Sequence, residues 1–328
     1  MKKRWDLMMS ICAALGLMVL ILDGKTALTG AKEGVELCFN TLIPTLLPFF
    51  FLSGILSAAL MGSRIPVLRP IGRLCRIPEG AEYILLTGFL GGYPLGARCI
   101  SDACDSGALS KQDGRRMLAF CNNCGPAFLF GVSGALFQDP KITWLLFGIH
   151  VLSAILVAIC IPGLPGRCID KNRNALSAMQ ALWQSLRAVA GVCGWVILFR
   201  VLLAMLERWV LWYFQAEIQI TISGIFELSN GCTQLYRIDE QALRFILCSG
   251  FLSFGGLCVT MQTYSSVPNI DRSLYFPGKV MQTLLSLSMA WLLCAPKYAL
   301  IPGLAAIIVG IFLRNQENRC RNPKKLVV

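Results

Sequence analysis

Gly88-Phe89-Leu90-Gly91-Gly92-Tyr93-Pro94-Leu95-Gly96 is answered 162 positions later by Gly250-Phe251-Leu252-Ser253-Phe254-Gly255-Gly256. Both stretches lie in apolar surroundings, where glycine weakens a helix and proline interrupts it. In hydrocarbon an interrupted backbone leaves N–H and C=O groups unpaired, at several kcal/mol each. Such breaks persist only against protein or a watery cavity. Two of them at matching places in two halves point to a solute site near a membrane midplane.

Composition agrees with a membrane setting. The mean hydropathy is +0.63, with 55% hydrophobic and 15% charged residues, as in integral membrane proteins. The 328 residues leave room for roughly eight spans of about 20 residues with their loops. The formal net charge of +12 is spread over short loops between apolar runs. The positive-inside rule accounts for that placement, and no basic face suggests nucleic acid. The 15 cysteines do not read as a disulfide framework. Cys12, Cys160, Cys193, Cys248, Cys258 and Cys294 sit inside apolar runs as small hydrophobes. Lys2-Lys3-Arg4 and the run Leu7 to Leu22 imitate a signal peptide, but Asp23-Gly24-Lys25-Thr26 follows in place of a cleavage site. The expectation is an uncleaved first helix.

Apolar runs near 7–22, 37–61, 142–164, 188–206, 280–294 and 298–313 predict spans. The runs 117–137 and 243–267 carry small and polar residues but are long enough to cross, and 84–100 and 218–231 read as re-entrant or half helices. The predicted fold is therefore an all-α integral membrane protein, with about eight transmembrane helices, two broken segments and a two-fold internal repeat. Its parts are an anchor helix and loop (1–34), a first repeat (35–164), a basic linker (165–187), a second repeat (188–270) and a C-terminal hairpin with a basic tail (271–328). Each half opens with a Pro- or Gly-marked helix, Leu42–Pro48 and Gly191–Trp195. Basic residues in the N-terminus, in 62–82 (Arg64, Arg69, Arg73, Arg76), in 165–187 (Arg167, Lys171, Arg173, Arg187) and in the tail (Arg314, Arg319, Arg321, Lys324, Lys325) predict cytoplasmic loops and two cytoplasmic termini in a cell membrane.

Gly92, Tyr93, Pro94, Gly96 and Arg98 bring an aromatic hydroxyl, freed backbone amides and a guanidinium together. An anionic or heteroaromatic solute could use all three; a small-residue helix contact is the plain alternative. Cys121-Asn122-Asn123-Cys124-Gly125-Pro126 forms a second break, with two carboxamides that are costly in apolar surroundings unless bonded. Its Cys-x-x-Cys spacing has neither the βαβ context of a redox motif nor the partners of a metal site. Glu227, close to Asn230, is an acid within an apolar stretch and reads either as a coupling or contact residue or as an interfacial charge. Gly255 and Gly256, with Thr260, Gln262 and Thr263, repeat the character of the first break, and polar side chains at this spacing can line one face of a helix. His150, the single histidine, reads as a proton relay or, preferably, as a neutral core residue bonded to a neighbouring helix. Motifs of hydrolases, zincins and P-loop enzymes are absent, so no enzyme, catalytic residue, metal site or cofactor is expected. The expected partners are a small-molecule solute, the lipid bilayer and, in an oligomer, further copies of the chain, but no nucleic acid.

The run Gly91–Ala97, then Asn123-Cys124-Gly125-Pro126 and Phe128–Gly131, then Phe226–Gly231 and Gly250–Gly256 resembles one family in matching order. This is the YlbJ-type sporulation integral membrane proteins with the nucleoside-recognition (Gate) domain. The resemblance covers roughly residues 35–270. It implies a fold similar to concentrative nucleoside transporters, with Gate repeats framing a site, and a role in moving dipicolinic acid in endospore formation. Tyr93, Arg98 and the asparagines suit a flat heteroaromatic dicarboxylate. Cys99, Cys104, Cys121 and Cys124 depart from the family pattern and leave room for another solute. A nucleoside or nucleobase permease and a non-transporting scaffold for spore-envelope assembly remain the alternatives.

Overall fold

The computed structural model describes residues 2–163, 166, 168 and 177–321. Among the predicted cytoplasmic charges, Arg167, Lys171, Arg173, Lys324 and Lys325 lie outside the described residues. Helix dominates throughout. The first elements are α1 (Lys2–Leu22), α2 (Gly24–Leu37), α3 (Ile43–Leu60) and the short α4 (Arg69–Leu74). A π-helical turn, Cys38–Leu42, joins α2 to α3. Residues 24–34, expected as loop, are helical, started by the Asp23 carboxylate accepting from the Thr26 N–H at 3.2 Å.

Two runs of elements then repeat. The first is α5 (Glu82–Gly91), α6 (Leu95–Asp105), α7 (Lys111–Cys121), α8 (Pro126–Phe137) and α9 (Pro140–Cys160). After α10 (Ala178–Trp209) comes the second: α11 (Ala216–Phe226), α12 (Leu228–Gln234), α13 (Gln241–Phe254), α14 (Gly256–Ser266) and α15 (Tyr275–Cys294), closed by α16 (Leu300–Arg321). The starts of α3 and α10, α5 and α11, α7 and α13, and α9 and α15 are separated by 135, 134, 130 and 135 residues. Contacts between the runs are reciprocal. Helix α7 meets α15 and α13 meets α9; α6 meets α14 and α12 meets α8; α9 and α15 meet each other. A two-fold relation generates reciprocity of this kind. By element order, the partner of the 92–94 break is Glu227, and the partner of the 122–125 break is Gly255. The sequence comparison paired Gly88–Gly96 with Gly250–Gly256 instead, because glycine content is legible and element order is not.

Close backbone approach folds each hairpin. A Cβ at Gly88 or Gly96 would run into the carbonyl oxygen of Cys121, and one at Gly231 into the Cα of Gly224. The α7–α8 break follows from extended backbone at Asn122 and Gly125. Pro126 then occupies the first turn of α8, where a missing N–H costs nothing. Gly255, at φ +80°, ends α13 in the left-handed region.

Among the described residues, five helical stretches are long and apolar enough to cross a membrane: Gly24–Leu60, Pro140–Cys160, Ala178–Trp209, Gln241–Ser266 and Pro296–Cys320. Large apolar side chains such as Leu198, Leu202, Leu304, Ile307 and Ile308 are exposed along them, as lipid-facing surfaces require. Trp209, Trp212 and Tyr213 are exposed at the end of α10, in the manner of an interfacial aromatic belt. The chain is an all-helical, multi-pass membrane protein. Arg116 fastens one end of the bundle: fully buried, it donates to the carbonyls of Cys75, Arg76, Ala158 and Ile161 at 2.5–3.1 Å. It thus satisfies carbonyls where α4 and α9 end, which would otherwise lack partners.

Candidate functional site

The breaks converge on one lysine. Lys279 rises from the first turns of α15 and is fully buried. Its Nζ donates to the Asn122 carbonyl at 2.8 Å, to Asn123 Oδ1 at 3.4 Å and to Gln282 Oε1 at 2.6 Å. The ring of Tyr93 lies over it, with the centroid 5.0 Å from Nζ. Among the described residues no carboxylate lies within ion-pair distance. An ammonium taken out of water loses several kcal/mol of solvation, and neutral oxygens recover only part of it. The centre therefore holds a buried lysine amine with no carboxylate partner among the described residues of a helical membrane protein.

The surrounding groups are fixed by one another. Asn122 accepts from the Ala97 N–H at 3.3 Å and donates to Thr263 Oγ1 at 2.8 Å and to the Tyr275 hydroxyl at 3.5 Å. Asn123 donates to the Phe120 carbonyl at 2.7 Å, and its oxygen receives Gln282 Nε2 at 3.1 Å. The Cys124 N–H donates to His150 Nε2 at 3.2 Å, while His150 Nδ1 stands 3.4 Å from Ser253 Oγ. With Nε2 accepting, the ring holds its proton on Nδ1 and is neutral. The packing reading of His150 fits that geometry. Tyr93 donates to the Leu252 carbonyl at 3.4 Å. Its ring rests on Gly255, where any Cβ would meet Cζ at 3.0 Å.

The sequence-predicted residues separate into groups. Tyr93, Asn122 and Asn123 join the Lys279 cluster. Gly92 packs on Gly125 beside them, and Pro94 and Gly96 start α6 against the end of α7. Gly256 packs against the Glu227 backbone. The Glu227 carboxylate caps α12, accepting from the N–H groups of Ser229 at 2.9 Å and Asn230 at 2.7 Å. Asn230 turns to α10, accepting from Arg200. Arg98 also turns to α10, donating to the Gln184 carbonyl at 2.9 Å and to its side-chain oxygen at 3.0 Å. Gln262 donates to Cys258 one turn back on α14, at 3.3 Å. Neither Arg98 nor Gln262 reaches the cluster.

Thr263 and Ser253, both read with the Gly255–Gly256 break, join the cluster; Lys279, Gln282 and Tyr275 lie at no such break. Lys279 stands one residue before an apolar run, where a lysine reads as a loop charge. The signal lay in Tyr275, Lys279, Gln282 and Ser286, a polar row at spacings of four, three and four along one face of α15. All four are buried. No group of three or more His, Cys, Asp or Glu side chains among the described residues is placed to hold a metal ion.

No family model matches the chain, and no solved structure matches it. The sporulation integral membrane protein YlbJ of Bacillus subtilis (strain 168) is 24% identical over 326 aligned residues, covering 84% of this chain and 79% of that protein. The chain is similar to that protein along most of its length. The similarity runs along most of both chains, so the broken-helix region falls within the kinship that the Gly91–Ala97 and Asn123–Pro126 motifs suggested. The chain thus joins an extended sequence likeness to a buried lysine held among neutral oxygens.

Proposed function

We propose that the chain is a sporulation-linked permease for a small organic anion, with dipicolinate as the first candidate. One observation carries the reading: Lys279 sits buried among neutral oxygens where the broken helices meet. A solute carboxylate supplies the counter-charge that the protein withholds, and Asn122, Asn123 and Gln282 offer carboxamides to its remaining oxygens. Glu227 takes no part in this charge balance, since its oxygens are committed to the α12 N-terminus.

The repeat supports the same reading. In this reading α3, α7–α8 and α9 each cross the membrane between the start of α3 and the start of α10, while α5–α6 folds back on itself. An odd number of crossings would put equivalent elements in opposite orientations, the inverted relation that places transporter sites between halves. The relative's description as a sporulation integral membrane protein supports the cellular context.

Two measurements test the proposal. Deleting the gene in its host, with no paralogue present, is expected to leave spores depleted of dipicolinate. Purified protein in vesicles is expected to take up labelled dipicolinate in preference to labelled nucleosides. Normal spore dipicolinate together with nucleoside uptake assigns the chain to the nucleoside class. Normal spores with no uptake of either solute leave the scaffold reading.

A further inference from the structure

Beside α12 lies a second polar site, apart from the Lys279 cluster. A cavity of about 420 Å³ is lined by Glu33, Arg200, Glu207, Asn230, Tyr236 and Arg237, among others. Arg200 donates from Nη1 to Asn230 Oδ1, and its Nη2 stands 3.6 Å from the half-exposed Glu33 carboxylate. Two donors are left over: Arg200 Nε and Asn230 Nδ2 are buried and make no hydrogen bond. Asn230 is itself 92% buried (8% exposed). Buried donors without acceptors are costly and few in folded proteins, and these two belong to hydrogen-bonded neighbours on one cavity wall.

The lining runs along α12 from Asn230 in its first turn to Gln234 and on to Tyr236 and Arg237, and the Asn230 N–H donates to the Glu227 cap, against whose backbone Gly256 packs.

We infer that this cavity is the access vestibule of the permease, and that Arg200 and Asn230 form a docking station for the carboxylate of the incoming anion. The inference rests on the function proposed above. Glu33 is the resident counter-ion, holding Arg200 loosely while the station is empty and displaced when a solute carboxylate arrives. A guanidinium fork with a free Nε matches a carboxylate edge, and Asn230 Nδ2 supplies a further donor.

Displacement makes a prediction with two signs, which a structural ion pair does not. The assay is uptake of labelled dipicolinate by the full chain in phosphatidylcholine vesicles, with and without phosphatidylglycerol. Glu33→Gln removes a competitor and is expected to lower the apparent KM about two- to fivefold. Arg200→Gln is expected to raise it about tenfold or more, and Arg200→Lys to raise it less, since it keeps charge without the fork. Because Glu33→Gln and Arg200→Lys are mild, the test survives even if Arg200→Gln does not insert. Glu33 and Arg200 variants that shift KM in the same direction, or not at all, overturn the vestibule while wild-type uptake leaves the permease standing. An arginine effect seen only with phosphatidylglycerol assigns the site to a lipid phosphate and also overturns it. No wild-type uptake overturns the permease and the vestibule together.

Discussion

The ammonium of Lys279 stands 2.8 Å from the main-chain carbonyl of Asn122, the first residue beyond the end of α7. A helix that stops inside a membrane leaves such carbonyls without partners, so one side chain both closes the break and electrifies it. These two roles separate experimentally. Lys279→Met removes a polar amine whose burial is costly, which offsets the lost hydrogen bonds, so the melting temperature is expected to hold within a few degrees. Uptake of an anionic solute is expected to fall tenfold or more, the loss of a charged hydrogen bond of about 1.5–3 kcal/mol. Lys279→Arg should recover part of it. Retained uptake in the Met variant at equal insertion would place the binding site elsewhere.

Arg98 offers the complementary test. Its guanidinium is committed to Gln184 on α10, away from Tyr93 and Lys279. Arg98→Ala is expected to leave the apparent affinity for dipicolinate unchanged and to cost about 1 kcal/mol of stability for the lost contacts. Asn123→Ala is expected to weaken affinity in the same assay, because Asn123 Oδ1 receives both Lys279 and Gln282. If Arg98→Ala weakens binding as much as Asn123→Ala, the static cluster is not the whole site.

Glycines at the hairpin tip and in an open helix should respond with opposite signs. Gly96→Ala pushes a methyl into the Cys121 carbonyl, a backbone atom with nowhere to retreat. A loss of about 1–3 kcal/mol is expected, read as a lower midpoint in thermal unfolding of the solubilised protein. Gly54 has nothing within 4 Å of an added Cβ and lies in α3. Gly54→Ala is expected to raise stability by about 0.5–1 kcal/mol.

Arg116 tests the far end of the bundle. Replacing it by Leu strips four carbonyls, three of them in fully buried contacts, of their donor. A loss of about 3 kcal/mol or more is expected, and Arg116→Lys should recover little, since one ammonium cannot span that set. Chemical denaturation in micelles measures it. A Leu variant as stable as wild type would mean that those carbonyls find other partners.

Glu227→Gln keeps one acceptor at the α12 N-terminus but loses the charge that suits it. A destabilisation of about 1 kcal/mol is expected. The pH dependence of uptake is expected to stay where it is in wild type, because the carboxylate is engaged by Ser229 and Asn230. A pH profile displaced in the Gln variant would make Glu227 a proton-coupling group.

Much of this architecture was legible as chemistry local to the chain. Glycine and proline at 91–96, two asparagines before Gly125-Pro126, and Glu227 inside an apolar stretch each signalled a break, since a broken helix is a local event. What joins the breaks is not local. Lys279 meets Asn122 across 157 positions, and no window of sequence distinguishes a lysine that snorkels from one that is walled in. Arg98 misled for the same reason: proximity to Tyr93 along the chain says nothing about which face of α6 turns inward. The repeat was sensed from glycine content, yet its true register lies in element order, where Glu227 stands opposite Gly92–Pro94 with no glycine to advertise it.

The thiols give these breaks an intrinsic reporter. Among the described cysteines, Cys160, Cys294 and Cys320 are exposed, whereas Cys121 and Cys124, on either side of the two asparagines, are buried and free. A reagent that reacts only with thiolate in water finds them silent while the helices meet. Any cycle that hydrates the break must also wet these sulfurs. The labelling rate of the unmodified protein, with and without solute, would then time the opening directly.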